Sequence, residues 1–207
     1  MATKAWGPDA AAAVVRAGGG SAGKVLVGES RMQELEVKGP ALLEAGAKVH
    51  VIGQLQRNKA AIAVRYAQCV QTVDSLALAE RLSRLALEAD RNLDVMVQVN
   101  VSGEATKAGV EPGAALALAS GIQALPGITV TGFMTIGLNS RDEGRVREGY
   151  ALLRDVRDQA LIRSERGSTP LASAWELSMG MSGDFAVAVE EGSTCVRVGT
   201  AIFGRRV

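Results

Sequence analysis

The sequence predicts an α/β fold: a closed (β/α)8 barrel of parallel strands wrapped by helices, in a single domain. Three observations point there. Hydrophobic residues make up 47% of the 207-residue chain and aromatic residues only 3%, so the interior is built from Val, Ile, Leu and Ala, which suits strands buried on both faces. Short β-branched runs alternate with segments of helical spacing along the chain. With the stub at the start, the strand candidates number eight, the count that closes a parallel barrel.

In chain order, ATK at the start reads as a strand stub, followed by the helix PDAAAAVVRAG (8–18). The strand candidates are then KVLVGES (24–30), KVHVIG (48–53), CVQTVD (69–74), LDVMVQVN (93–100), ITVTGFMTI (128–136), ELSMGM (176–181) and CVRVGTAIFG (195–204). In SLALAERLSRLALEA (75–89), the pattern predicts Leu76, Leu78, Leu82, Leu85 and Leu87 on one side, with Glu80, Arg81, Arg84 and Glu88 facing water. Asp74 and Ser75 stand where a helix cap belongs. PGAALALASGIQAL (112–125) begins with a proline suited to a first turn. RVREGYALLRDVRDQAL (145–161) is a longer amphipathic helix, and DFAVAVEEG a short one. Only seven helices lie between the eight strands, so one covering helix is missing from the predicted barrel. AGGGSAGK (17–24) and RSERGSTPLASAW (163–175) read as loops.

Composition excludes several function classes. The 23 Lys and Arg nearly cancel the 22 Asp and Glu, and neither sign clusters, so nucleic-acid binding is not expected. No run reaches the ~18 apolar residues of a membrane span. The single histidine, His50, rules out a multi-histidine metal site and reads as packed or hydrogen-bonded inside the barrel. Cys69 and Cys195 sit far apart in apolar runs, as free core thiols would. A cytoplasmic protein follows, with no metal.

Parallel barrels work at the C-terminal ends of their strands. One such end, SMGMSGDF (178–185), spends two Gly and two Ser where a core would want bulk. A bare bend leading into a helix offers N–H donors and a positive dipole end to a phosphate, and the Ser182 hydroxyl adds another donor. The next strand ends at Gly199-Thr200, in the loop position that barrels use for phosphate. A plain tight turn at SGD is the competing reading. In CVRVG, Arg197 alternates with Val196 and Val198 and so points inward, where it needs an anion, an acceptor or a structural salt bridge. Lys4, Lys59 and Lys107 follow strands and are equally compatible with ordinary surface lysines.

The ordered set ATK, GESRMQE, HVIGQLQRNK, VDS, QVNVSGEATKAG, GFMTI, LSMGMSGDF and VRVGTAIFG resembles the pyridoxal phosphate (PLP) homeostasis proteins. These are single-domain relatives of the TIM-type alanine racemase N-terminal barrel. The resemblance covers essentially all of 1–207 and implies a chain shortened at its start relative to the family. It implies that Lys4 forms a Schiff base with PLP, and that Ser182, Gly183, Gly199 and Thr200 hold the phosphate. Arg197 would face the pyridine nitrogen, Met134 and Ser178 would line the ring pocket, and Asn58 would sit at the mouth. Ser30 would lie near the cofactor, where the family commonly has Asn. A guanidinium keeps its proton and leaves the ring nitrogen unprotonated, which makes the ring a weak electron sink.

The function implied is a carrier without catalytic residues, monomeric or weakly dimeric, that keeps free PLP low and supplies apo PLP-enzymes. Two rivals stand beside it. A PLP-dependent racemase needs a second acid/base opposite Lys4. A barrel enzyme acting on a phosphorylated metabolite would use the phosphate grip alone.

Overall fold

The computed structural model describes residues 1–3, 6–18, 26–104, 107–199 and 202. Within it, seven parallel strands form one sheet in sequence order: β1 (Leu26–Glu29), β2 (Lys48–Val51), β3 (Cys69–Val73), β4 (Leu93–Gln98), β5 (Ile128–Met134), β6 (Glu176–Met181) and β7 (Cys195–Arg197). Helix α1 (Pro8–Gly18) precedes β1. The crossovers that follow carry α2 (Met32–Glu44), α3 (Ala60–Tyr66), α4 (Leu76–Glu88), α5 (Pro112–Gln123), α6 (Glu143–Glu165) and α7 (Phe185–Glu190). A 3-10 turn over Arg57–Lys59 leads into α3.

Residues 1–3 fill the gap between the sheet edges. The Ala2 N–H donates to Val198 O (2.8 Å) beyond β7. Toward β1, Gly28 N–H donates to Met1 O (2.7 Å) and Thr3 N–H to Gly28 O (3.2 Å). Residues 1–3 thus stand in the place of an eighth stave of the barrel. These bonds satisfy part of the backbone at both edges and so reduce the pairing hazard that an open sheet would carry. Among the described residues seven α-helices cover these strands, matching the expected shortfall, and none is long and apolar enough to cross a membrane.

Two apolar layers hold the fold. The larger one lies between helices and sheet and includes Val27, Val49, Leu82, Val95, Val130 and Leu177. Inside the barrel, Cys69, Met96 and Met134 form a separate cluster. Aliphatic side chains do most of this packing, as the composition requires; Tyr150 and Phe133 are the large fully buried exceptions.

Several expected boundaries shift. In α4 the buried face is Leu78, Ala79, Leu82, Ser83 and Ala86, while Leu76 and Leu87 are 41% and 53% exposed. At 100° per residue Leu87 lies opposite Leu78, so five leucines cannot share one stripe. Ser75 does occupy the cap position, but its side chain makes no capping hydrogen bond. Helix α6 starts earlier and ends later than expected. Its cap is Asp142, which accepts the Arg145 N–H at 3.3 Å. The run CVRVGTAIFG yields only the three-residue β7 among the described residues.

Candidate cofactor site

The C-terminal end of β6 answers why its backbone is bare. Gly180 has φ +94°, and a Cβ there would stand 2.6 Å from Ala188 Cβ and 3.2 Å from Phe185 Cα. Its bareness therefore serves the seating of α7 against β6. Gly183, two residues past the strand, has nothing within 4 Å of a built Cβ and is exposed. Its bareness is not required by any packing of the protein, and the space beside it is open. Between them, the Ser182 hydroxyl oxygen accepts the Gly199 N–H at 3.5 Å, which brings the loops after β6 and β7 together.

Asp184 and Tyr150 hold this bend from behind. Asp184 precedes α7 and accepts the Met181 N–H through Oδ1 (2.6 Å) and the Tyr150 hydroxyl through Oδ2 (2.8 Å). Tyr150 is fully buried on α6, and burial, followed by its bond to Asp184, pushes the phenol well above its ordinary pKa. It is therefore a permanent donor that fixes the carboxylate. On the outer surface, Arg147 binds Glu190 (2.6 Å) and Glu191 (3.0 Å), tying α6 to α7.

Arg197 points into the barrel, as strand alternation predicted, and is only 9% exposed. Its Nη1 donates to Ser178 Oγ (2.7 Å) and its Nη2 to Thr135 O (2.6 Å). Both acceptors are neutral, and no ion pair forms with it among the described residues. Burial pulls its pKa down, whereas the carboxylates around Arg147 push that residue's up. A buried cation with only neutral partners suits an electron-rich or anionic ligand.

A cavity of about 490 Å³ runs along the seam between the stub and β7 and reaches Arg197, Gln71 and His50. Burial, with Lys48 and the amino terminus adding smaller repulsion, lowers the His50 pKa from 6.5 to about 4. The folded imidazole thus binds its proton later than the unfolded one as pH falls. The stabilisation is complete above pH 6.5 and is lost as pH drops toward 4. Relative to His50→Gln, the native chain should lose up to about 3 kcal/mol more between pH 7 and 4. Denaturant unfolding at both pH values measures this, and parallel pH profiles for the two proteins would contradict it.

The expected site residues divide into groups. Ser182, Gly183 and Gly199 meet at one bend, and Ser178 and Arg197 meet inside the barrel. Met134 belongs to the fully buried interior cluster. Ser30 follows β1, and its carbonyl lies so close to Gly53 that no side chain fits there. Asn58 is apart from all of these. It is exposed and lines an outer cleft with Arg57, Glu80 and Arg81. Lys4 and Thr200 lie outside the described residues. Among the described residues no cluster of three His, Cys, Asp or Glu is set to hold a metal. Both cysteines are free.

Sequence reasoning missed Gln71, Thr135, Tyr150 and Asp184. A glutamine inside the apolar run CVQTV was the available signal for the first. Thr135 and Asp184 lie in the strand-end segments GFMTI and SMGMSGDF without a role having been expected for either, and nothing local pointed to Tyr150.

The family described as "Alanine racemase, N-terminal domain" matches residues 3–207. The chain belongs to that family. Among its alanine racemase N-terminal domain relatives, the pyridoxal phosphate homeostasis protein of Aquifex aeolicus is 39% identical over 184 residues, covering 89% of this chain and 78% of that protein. The protein of the same name from Vibrio cholerae is 40% identical over 157 residues, covering 76% of this chain and 64% of that one. The structure of PipY from Synechococcus elongatus with PLP bound is 33% identical with a TM-score of 0.83, covering 99% of this chain and 91% of that one.

Proposed function

We propose that this chain is a non-catalytic PLP carrier that holds the cofactor through Lys4 and supplies it to apo PLP-enzymes in the cytoplasm. The observation that carries the reading is Arg197, a buried guanidinium with two neutral acceptors and no carboxylate partner among the described residues. Relatives named for PLP homeostasis, and the PLP-bound PipY structure, support the same ligand.

The described residues fit the group. Ser182, Gly183 and Gly199, with Thr200 beyond them, would receive the phosphate at a bend whose outer side is open. Arg197 would present N–H groups to the ring nitrogen, and its retained proton would leave that nitrogen neutral. Bound PLP supplies an aldehyde for amine capture and a ring that withdraws electrons. Lys4 would be the amine that holds this aldehyde, reversibly and with release of water. Thr3, next to Lys4, is fully buried, and its carbonyl accepts Lys38 Nζ at 2.9 Å.

The test is optical and by mass. Protein mixed with PLP should absorb in the visible range, and borohydride should trap one adduct on the peptide holding Lys4. Lys4→Ala should abolish both. Colourless protein with no trapped mass would end the reading, and steady turnover between alanine enantiomers would return the racemase.

A further inference from the structure

Arg197 does not end its hydrogen-bond chain at Ser178. The Ser178 hydroxyl, fully buried on β6, donates onward to Gln71 Oε1 at 2.7 Å, and Gln71 on β3 meets His50 Nδ1 on β2 at 2.8 Å through its Nε2. Four strands, β7, β6, β3 and β2, thus contribute one side chain each to a line crossing the barrel.

The direction of every bond in this line follows from its first member together with the one acceptor that the Ser178 proton meets, Gln71 Oε1. A guanidinium only donates, so Ser178 Oγ must accept from Arg197 and turn its own proton elsewhere. That proton goes to Gln71 Oε1, which turns the Gln71 amide N–H toward His50. His50 Nδ1 must then carry a lone pair, with the ring proton on Nε2. A protonated or Nδ1–H imidazole would face the amide donor with another donor, and reversing the amide would take away Gln71 Oε1, the acceptor of the Ser178 proton.

We propose that His50 and Gln71 are positioning residues for Arg197. Through Ser178 they hold its guanidinium in the orientation that meets the ring nitrogen; this last role rests on the PLP-binding reading above. Neither residue needs to touch the cofactor.

Asn carries its side-chain oxygen where His carries Nδ1, so His50→Asn keeps the acceptor and His50→Leu removes it. In the PLP-free protein, long-range proton–nitrogen NMR of the single histidine should show the Nε2–H form at pH 7; the Nδ1–H form, or a cation at that pH, overturns the chain. In PLP titrations, His50→Leu should bind about tenfold more weakly, the cost of one unmade buried hydrogen bond. His50→Asn should recover most of that loss. Equal losses in the two variants, or none in either, overturn the positioning role. If His50→Leu does not fold, the native tautomer and an undiminished affinity in His50→Asn remain the supporting results, and failure of either overturns the role. Absence of PLP binding in the native protein would defeat the proposed function, and the tautomer alone would then decide the chain.

Discussion

Lys38→Met should destabilise the protein by about 3–5 kcal/mol, the usual consequence of stranding a buried charge. Lys38 on α2 is almost fully buried, and its Nζ binds Glu29 (3.2 Å), Glu34 (2.9 Å) and the Thr3 carbonyl (2.9 Å). Glu29, at the end of β1, has no exposed surface and also accepts the Thr3 hydroxyl. Burial raises the Glu29 pKa, and the Thr3 hydroxyl and the Lys38 ammonium oppose that rise. Removing the ammonium lets burial act with less opposition, so the folded variant should hold the Glu29 proton to a higher pH than the unfolded chain does. A raised carboxyl pKa means that folding takes up protons, so stability falls as pH rises through the folded value. The deficit should therefore be smallest near pH 4.5 and largest well above it. Replacing Glu29 with Gln in the same chain should restore part of the loss, because a neutral amide costs less to bury than an unpaired carboxylate. Denaturant unfolding of the single and double variants across pH provides the measurement. A loss for Lys38→Met that does not vary with pH would show that the charge pair is not its source.

The same cluster marks how far a sequence can be read. The barrel was legible because strand and helix periods are local: α1 and β6 fall on the residues the pattern indicated, Pro8–Gly18 and Glu176–Met181. The stub at ATK was legible from the strand count, since a closed parallel sheet leaves no spare edge. Inward Arg197 followed from period-two alternation. What could not be read depends on partners far apart in the chain. Ser178 and Gln71 are 107 positions apart, and Tyr150 meets Asp184 from another helix; no spacing rule connects such pairs. Helix α4 went astray for a different reason. Leucine density suggested a stripe, but small residues, Ala79, Ser83 and Ala86, make up much of the buried face, and a count of leucines does not register them. The resemblance implied a place at the mouth for Asn58; the 3-10 turn after β2 sets it beside α4, in a cleft with Glu80 and Arg81.

Gly180→Ala and Gly183→Ala should fail in opposite ways, although they lie three residues apart on one bend. At Gly180, a side chain meets a left-handed backbone, costing about 1–2 kcal/mol. Its Cβ is also forced against Ala188, 2.6 Å away on α7, which adds about 1–3 kcal/mol of overpacking. That variant should unfold at clearly lower denaturant, and its PLP affinity should fall because α7 and the Ser182–Gly183 bend shift together. Gly183 has an ordinary φ and open space around it, so Gly183→Ala should change stability by no more than about 0.5 kcal/mol. The methyl would nevertheless occupy the space assigned to the phosphate and weaken PLP binding without unfolding anything. Inorganic phosphate should compete with PLP less effectively in that variant than in the native chain. Paired unfolding curves and PLP titrations separate the two outcomes. If Gly183→Ala binds PLP as the native chain does, the open side of the bend is not the phosphate seat. Equal stability losses in both variants would instead mean that the whole bend, and not Gly180 alone, is packed against the protein.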